Sequence, residues 1–232
     1  MPTLVGIPKE TLPLEKRVAA TPDSLKKLLQ RGLRVCVEKG AGIAAGYADE
    51  SLAQAGAELV DDIWPIANVI FKVRPPSLAE VSKMAQGAAI VSLLQPERNP
   101  GLIDALKAKG ATALALEKIP RVTRAQKMDV LSSMGNLSGY RAVVEAAAHF
   151  QGFFSPQVTA AGSTPPTRVL IVGAGVAGLA ALGAARALGA EVRAFDTRAA
   201  AREQVESLGG KFLEVSLKES GEGTGGYAKT MS

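Results

Sequence analysis

Short apolar runs along this chain alternate with longer stretches in which apolar residues return every third or fourth position. The first kind of pattern predicts strands and the second helices. Five times a helix-like stretch closes on glycine and a strand-like run follows at once: LLQRG then LRVCVE, LAQAG then AELV, LKAKG then ATALALE, ARALG then AEVRAF, and VESLG then GKFLEV. Glycine just past a helix takes the left-handed conformation without steric cost and stops the helix. The runs that follow are apolar on successive residues, as in strands covered on both faces. Repetition of this joint predicts βαβ units and a mainly parallel sheet, and hence an α/β fold.

Helix starts fit the same scheme. Thr21-Pro22-Asp23 sets a capping hydroxyl before a proline at the first helical position, and Asn99-Pro100 repeats the device. In the polar string RVTRAQKMD, residues 121–129, Thr123-x-x-Gln126 has the spacing of a capping box. The strand and helix patterns place a first lobe over residues 1–136. A connecting helix, LSGYRAVVEAAAHF, and the linker AAGSTPPT span 137–166. A second β-α-β-α-β series then occupies 167–232 and ends in the polar, glycine-rich SLKESGEGTGGYAKTMS.

Composition narrows the class. Apolar residues make up 47% and aromatics only 4%, a mixture suited to Ala/Leu helices and Val/Ile strands rather than to disorder. The net charge of +5 is spread along the chain without interleaved aromatics, so no nucleic-acid partner is expected. Cys36, the only cysteine, lies in LRVCVE and reads as a buried core residue. With one cysteine and one histidine there is no zinc-type cluster, and no metal site is expected. The uncharged stretch VLIVGAGVAGLAALGAA carries four glycines and reads as a strand followed by a helix, not as a membrane span. MPTLVGIPKE lacks the pattern of a secretory signal, which makes a cytoplasmic location the default expectation.

That apolar stretch also holds the most specific motif. The strand VLIV runs into Gly173-x-Gly175-x-x-Gly178, then a helix, then the strand EVRAF, which ends at Asp196. Set in that context, the spacing is a dinucleotide-binding fingerprint. Gly173 permits the tight turn, Gly175 lets a pyrophosphate approach the backbone, and Gly178 lets helix and strand pack closely. The helix N-terminus offers N–H groups and a positive dipole end to the phosphates. Asp196 is placed to accept hydrogen bonds from the adenosine ribose and to repel a 2′-phosphate, which favours NAD(H). Arg198 works against that preference, because an arginine here can accommodate the phosphate. The candidate cofactor site runs over Gly173, Ala174, Gly175, Val176, Gly178, Asp196, Thr197 and Arg198. Both lobes read as Rossmann-like, doubly wound and mainly parallel. The second holds only the first of two mononucleotide halves and reads as truncated.

An NAD enzyme acting on an alcohol or amine moves a proton with the hydride and needs a positioned acid or base. His149 sits in the Ala-rich helix and reads as a helix-face residue. Lys72, at the end of the apolar strand in VIFKVRPP, is either a lysine whose pKa partial burial lowers, able to stand in for a histidine, or, the preferred reading, a strand-end lysine whose charge reaches solvent. Glu10, Glu15, Lys16 and Arg17 form a charged loop that faces either a cleft or water. Gly225, Gly226 and Tyr227 are either a hinged flap with an aromatic lid or an ordinary tail.

Over its whole length the sequence resembles the NAD(H)-binding component, domain I, of the proton-translocating NAD(P) transhydrogenases, a family related to alanine dehydrogenase. The resemblance is strongest in EKIPRVTRAQKMDVLSSMGNLSGYRAVVEAA, TAAGSTPPTRVLIVGAGVAGLAA, GAEVRAFDTR and EQVESLGGKFLEV. It implies that Arg121, Gln126 and Asp129 contact the nicotinamide end of the nucleotide, that Ser132 contacts its carboxamide, and that Tyr227 closes over it. It further implies two lobes with NADH held in the cleft between them. Hydride would pass directly to NADP⁺ on an NADP(H)-binding partner component, a task of proximity and orientation that explains the missing acid and base. A homodimer is implied, docked through its partners on a proton-conducting membrane component and so peripheral to the bacterial inner membrane. Two other readings stay open. KRVAATP and FKV are similar to alanine dehydrogenase, matching Arg17 and Lys72 to its substrate-binding pair, but Gln95 stands where that family's catalytic histidine is expected. The alternative from a different class is a non-catalytic NAD(H)-binding module or fragment.

Overall fold

Strand β1 (Leu4–Ile7) is the centre of six parallel strands: β2 (Arg34–Glu38), β3 (Glu58–Val60), β4 (Val69–Phe71), β5 (Ala89–Ser92) and β6 (Thr112–Ala115) complete the sheet in the order β3-β2-β1-β4-β5-β6. The computed structural model describes residues 2–120, 122–215, 221, 223 and 229. It divides into two units, Met1–Pro120 and Arg121–Ser232. The first unit therefore has the strand order of a complete doubly wound fold.

Period-2 alternation builds the two faces of that sheet. In β2, Val35 and Val37 point into a core with Val5, Ile7, Leu25 and Leu52, under helices α1 (Pro22–Gln30) and α2 (Asp49–Gln54). Cys36 points the other way, into a core with Ile70, Ile90, Leu102 and Leu106, under α3 (Leu78–Lys83) and α4 (Pro100–Ala108). Cys36 is fully buried, as its sequence setting predicts, and burial pushes its thiol pKa up.

In the second unit, β9 (Arg168–Val172), β10 (Glu191–Phe195) and β11 (Lys211–Phe212) form a parallel sheet in the order β11-β10-β9. Helices α6 (Val176–Ala187) and α7 (Ala201–Ser207) make the crossovers, and α5 (Val130–His149) packs on α6. The three strands repeat the β3-β2-β1 half of the first sheet. The uncharged stretch read as strand plus helix is β9 and α6, and no described helix is long and apolar enough to cross a membrane.

All five joint glycines, Gly32, Gly56, Gly110, Gly189 and Gly209, have positive φ, between +59° and +100°. Thr21 caps α1 as predicted: Ser24 N–H donates to the Thr21 hydroxyl at 3.3 Å, and Thr21 N–H donates to the Ser24 hydroxyl at 2.7 Å. Asn99 starts α4 without a side-chain cap. Its amide turns back to donate to the carbonyls of Leu94 and Gln95, at 3.0 and 3.2 Å, pinning the loop after β5.

Two expectations are corrected. The stretch around AAGSTPPT is not all linker, since β7 (Gln157–Thr159) and β8 (Gly162–Thr164) pair there as an antiparallel hairpin. Coverage of both strand faces fails at β9, where Ile171 is buried against the helices but Leu170 and Val172 are 60% and 76% exposed. In this unit Ile171 joins a core with Val143 of α5, Leu182 of α6 and Val205 of α7, and Leu170 and Val172 do not.

Candidate functional site

The register of the second sheet assembles the nucleotide-type loop. Phe195 pairs with Val172, so β9 and β10 end side by side and deliver Gly173 and Asp196 to the same place. Gly173 N–H donates to the Phe195 carbonyl at 2.7 Å, one more rung of the ladder. The next N–H, of Ala174, donates to Asp196 Oδ2 at 2.7 Å. The carboxylate thus takes the position of a strand carbonyl and ties the turn to the tip of β10.

Each glycine does a separable job. Gly173 has φ +97°. A Cβ on Gly178 would lie 1.7 Å from the Gly173 carbonyl oxygen, so α6 can leave the turn this closely only without a side chain. Around Gly175 a Cβ would meet nothing within 4 Å, and its φ is an ordinary −80°. Gly175 is the N-cap of α6, and among the described residues no side chain caps that helix. The space beside Gly175 is open and the start of the helix carries no such cap, the condition under which a helix N-terminus takes up an anion. Val176, in the first turn, is 41% exposed beside it.

Asp196 is buried, and Arg198 folds over it. Arg198 N–H and Nε donate to Asp196 Oδ1 at 2.8 and 2.9 Å, and a terminal guanidinium nitrogen donates to Oδ2 at 2.8 Å. Burial raises the Asp196 pKa, but the hydrogen bonds from Arg198 and Ala174 outweigh it and bring the carboxyl down to about 2. Behind them Thr197 packs on Gly221, whose N–H donates to the Thr197 carbonyl at 3.1 Å. A Cβ on Gly221 would meet the Thr197 side chain at 2.3 Å.

Helix α5 packs across the first turn of α6. At the crossing, a Cβ on Gly139 would lie 1.9 Å from the Ala177 carbonyl oxygen, and one on Gly135 would lie 3.9 Å from Val176. Val176 and Ala177 form the first turn of α6. Residues 129–132 precede Gly135 on the chain by three to six positions, roughly one to two helical turns. Asp129 caps α5: its carboxylate accepts from Ser132 N–H at 2.9 Å and from the Ser132 hydroxyl at 2.7 Å. Gln126 is exposed on a 3-10 turn, Thr123–Met128, that precedes the cap. The capping box expected between Thr123 and Gln126 does not form, because Thr123 lies inside that turn and Asp129 takes the capping position. Arg121 and Tyr227 lie outside the described residues. His149 is exposed at the end of α5, the helix-face position expected of it.

A second polar cluster, not assembled by the sequence reading, lies at the carboxyl ends of β1 and β4. Lys72 is 2% exposed, which overturns its expected reach into solvent. Its Nζ donates to Glu10 Oε2 at 2.8 Å and lies 3.8 Å from Glu80. Glu10 Oε1 also accepts from Val73 N–H at 2.6 Å. Glu15 accepts from Arg17 and, at 2.6 Å, from Arg74 Nε. The Arg17 hydrogen bond leads the effects that outweigh burial and hold Glu15 at a pKa of about 2. Within the charged N-terminal loop, Glu10 and Glu15 turn inward while Lys16 stays exposed. Past β5, Gln95 adopts φ +48°, and its N–H donates to Glu117 at 2.5 Å. Among the described residues no group of three or more His, Cys, Asp or Glu could hold a metal ion.

Comparison with known proteins covers both units. Residues 6–138 match the family described as alanine dehydrogenase/PNT, N-terminal domain, and residues 142–229 its C-terminal domain. The NAD(P) transhydrogenase subunit alpha of Haemophilus influenzae is 50% identical over 231 residues, 99% of this chain and 45% of that one. An alanine dehydrogenase of Mycolicibacterium smegmatis is 32% identical, over 94% of this chain and 60% of that one. Among solved structures, the transhydrogenase from Sinorhizobium meliloti aligns with a TM-score of 0.89 at 45% identity, covering 91% of this chain and 64% of the other.

Proposed function

The chain belongs to the alanine dehydrogenase/PNT family, and from that membership we propose that it is the NAD(H)-binding part of a proton-translocating NAD(P) transhydrogenase. The observation that carries the reading is the open approach to Gly175 at the uncapped start of α6, with a buried carboxylate, Asp196, at the neighbouring strand tip. These residues fit a dinucleotide. The α6 N–H groups and the Gly175 backbone hold the pyrophosphate, and Asp196 accepts from the adenosine ribose. Ala174, Val176 and Thr197 line the same loop. Gln126 and Ser132, with Asp129 fixing Ser132 at the start of α5, orient the nicotinamide end; Arg121 and Tyr227 join them on resemblance alone.

When bound, NADH supplies a hydride from nicotinamide C4, and we infer that its acceptor is NADP⁺ on a partner component. This chain's residues hold and orient one ring and move no proton. A homodimer, an NADP(H)-binding partner and a proton-conducting membrane component complete the proposed assembly, which would lie on the cytoplasmic face of the inner membrane.

Alanine oxidation fits the geometry less well. Lys72 is committed to Glu10 and Glu80, and Gln95, which cannot shuttle a proton, follows β5. The test mixes the protein with an NADP(H)-loaded partner domain and follows hydride exchange between NADH and an NADP⁺ analogue. Exchange without alanine turnover supports the proposal, and alanine-dependent NAD⁺ reduction sinks it. NADH binding with neither reaction points to a binding module.

A further inference from the structure

A carboxylate has about four lone-pair positions, and on Asp196 all four are taken. Ala174 N–H and the Arg198 guanidinium terminus donate to Oδ2, while Arg198 N–H and Nε donate to Oδ1. The side chains are 5% and 18% exposed, so the guanidinium lies over the carboxylate as a cover. As it stands, the acid that would receive the ribose has no acceptor position to offer.

The four donors fall into two kinds. Two are backbone N–H groups that belong to the glycine turn and the β10 tip, and they stay where the fold puts them. Two are on the Arg198 side chain, which can rotate away. A ribose diol also brings two donors, its 2′- and 3′-hydroxyls. We propose that Arg198 is a built-in stand-in for the adenosine ribose: its Nε and terminal N–H occupy the two acceptor positions that the diol takes over when nucleotide binds. Resting on the nucleotide reading above, this makes Arg198 a specificity-determining residue with two effects. In the free protein it keeps Asp196 neutralised and competes with NAD(H). Once displaced, it sets a positive charge beside the 2′ position and softens the repulsion between Asp196 and a 2′-phosphate.

Wild type, Arg198→Ala and Arg198→Lys are compared by direct titration with NADH, NADPH, ADP-ribose and ADP-ribose lacking the adenosine 2′-hydroxyl. Arg198→Ala should bind NADH and ADP-ribose about tenfold more tightly, since a bidentate, charge-assisted pair no longer has to be broken. The gain should shrink for the 2′-deoxy probe, which cannot fill both positions, and a general stabilising or loosening effect of the substitution would not make that distinction. NADPH should bind more weakly to the same variant, widening the preference for NADH. Arg198→Lys, with a single point-like donor group, should fall between the two proteins. Unchanged or weaker NADH binding by Arg198→Ala overturns the stand-in role while leaving the nucleotide site intact. Failure of all three proteins to bind any of the probes overturns the nucleotide reading and this inference with it.

Discussion

The glycines of the turn after β9 separate folding from binding at single positions. Gly178→Ala would force a Cβ to 1.7 Å from a backbone carbonyl oxygen that has no room to retreat. Both Tm and NADH affinity should fall. Gly175→Ala puts its methyl into open space at an ordinary φ, so Tm should stay close to wild type. NADH affinity should nevertheless fall at least about tenfold, because the methyl stands where the pyrophosphate meets the backbone. Thermal melts and NADH titrations of the two variants test both halves; a Gly175→Ala protein with unchanged affinity would show that phosphates do not approach there. The roles of Gly173 and Gly178 were legible in the sequence because they are set by neighbours a few residues away. Lys72 was not, since its partner Glu10 is 62 residues distant and only the pairing of β1 with β4 brings them together. Removing one side of that buried pair, as in Lys72→Met, should cost about 3–5 kcal/mol in urea unfolding. The double variant Lys72→Met/Glu10→Gln, which removes both charges and keeps an acceptor for Val73 N–H, should recover much of the loss.

Between elements, the start of α5 shows how two capping signals compete. Thr123-x-x-Gln126 and Asp129-x-x-Ser132 both have capping spacing, and local pattern does not rank them. The second wins because the twenty residues that follow it form the long helix against α6, while the first opens only a 3-10 turn. The β7–β8 hairpin is hard to see in the sequence for a related reason: its strands are three residues each, and Gly, Ser and Pro around them carry the pattern of a loop. Contact between α5 and α6 yields a paired prediction. Gly135 and Gly139 are both inside α5, where alanine is the better helix former by about 1 kcal/mol. At Gly135 the nearest neighbour to an added Cβ is 3.9 Å away, so Gly135→Ala should be neutral or stabilising in a thermal melt. At Gly139 the Ala177 carbonyl oxygen would be 1.9 Å away, so Gly139→Ala should destabilise despite the same gain in propensity. Equal effects of the two substitutions would contradict this packing of α5 on α6.

For the molecule as a whole, acid is the informative stress. Glu15 in the first unit and Asp196 in the second both titrate near 2 when folded, below ordinary values of 4.5 and 3.8. A depressed carboxyl pKa contributes stability above its unfolded pKa and loses it as pH falls through the folded one. The urea midpoint should therefore drop steeply between about pH 4.5 and pH 2, and Asp196→Asn should flatten that slope as it lowers the plateau above it. A midpoint that is level across this window would show that the two carboxylates carry no net folding linkage. The α/β class, the parallel strands and the helix stops were readable because glycine joints and apolar runs repeat along the chain. The bare outer face of β9 was not, because VLIV looks the same whether one side or both will be covered.

The central place of β1 also has a meaning in time. It leaves the ribosome before the other five strands of its sheet, yet one of its edges pairs with β4, which begins at Val69. At roughly 5–20 residues per second, translation leaves that edge unpaired for several seconds after Ile7 has been made. Strand β6, the last of the sheet, arrives at an outer position and disturbs nothing already formed. Slowing translation between Ile7 and Val69 should therefore lower the soluble yield more than an equal delay after Ala115, because only the first delay holds an apolar edge open in the nascent chain.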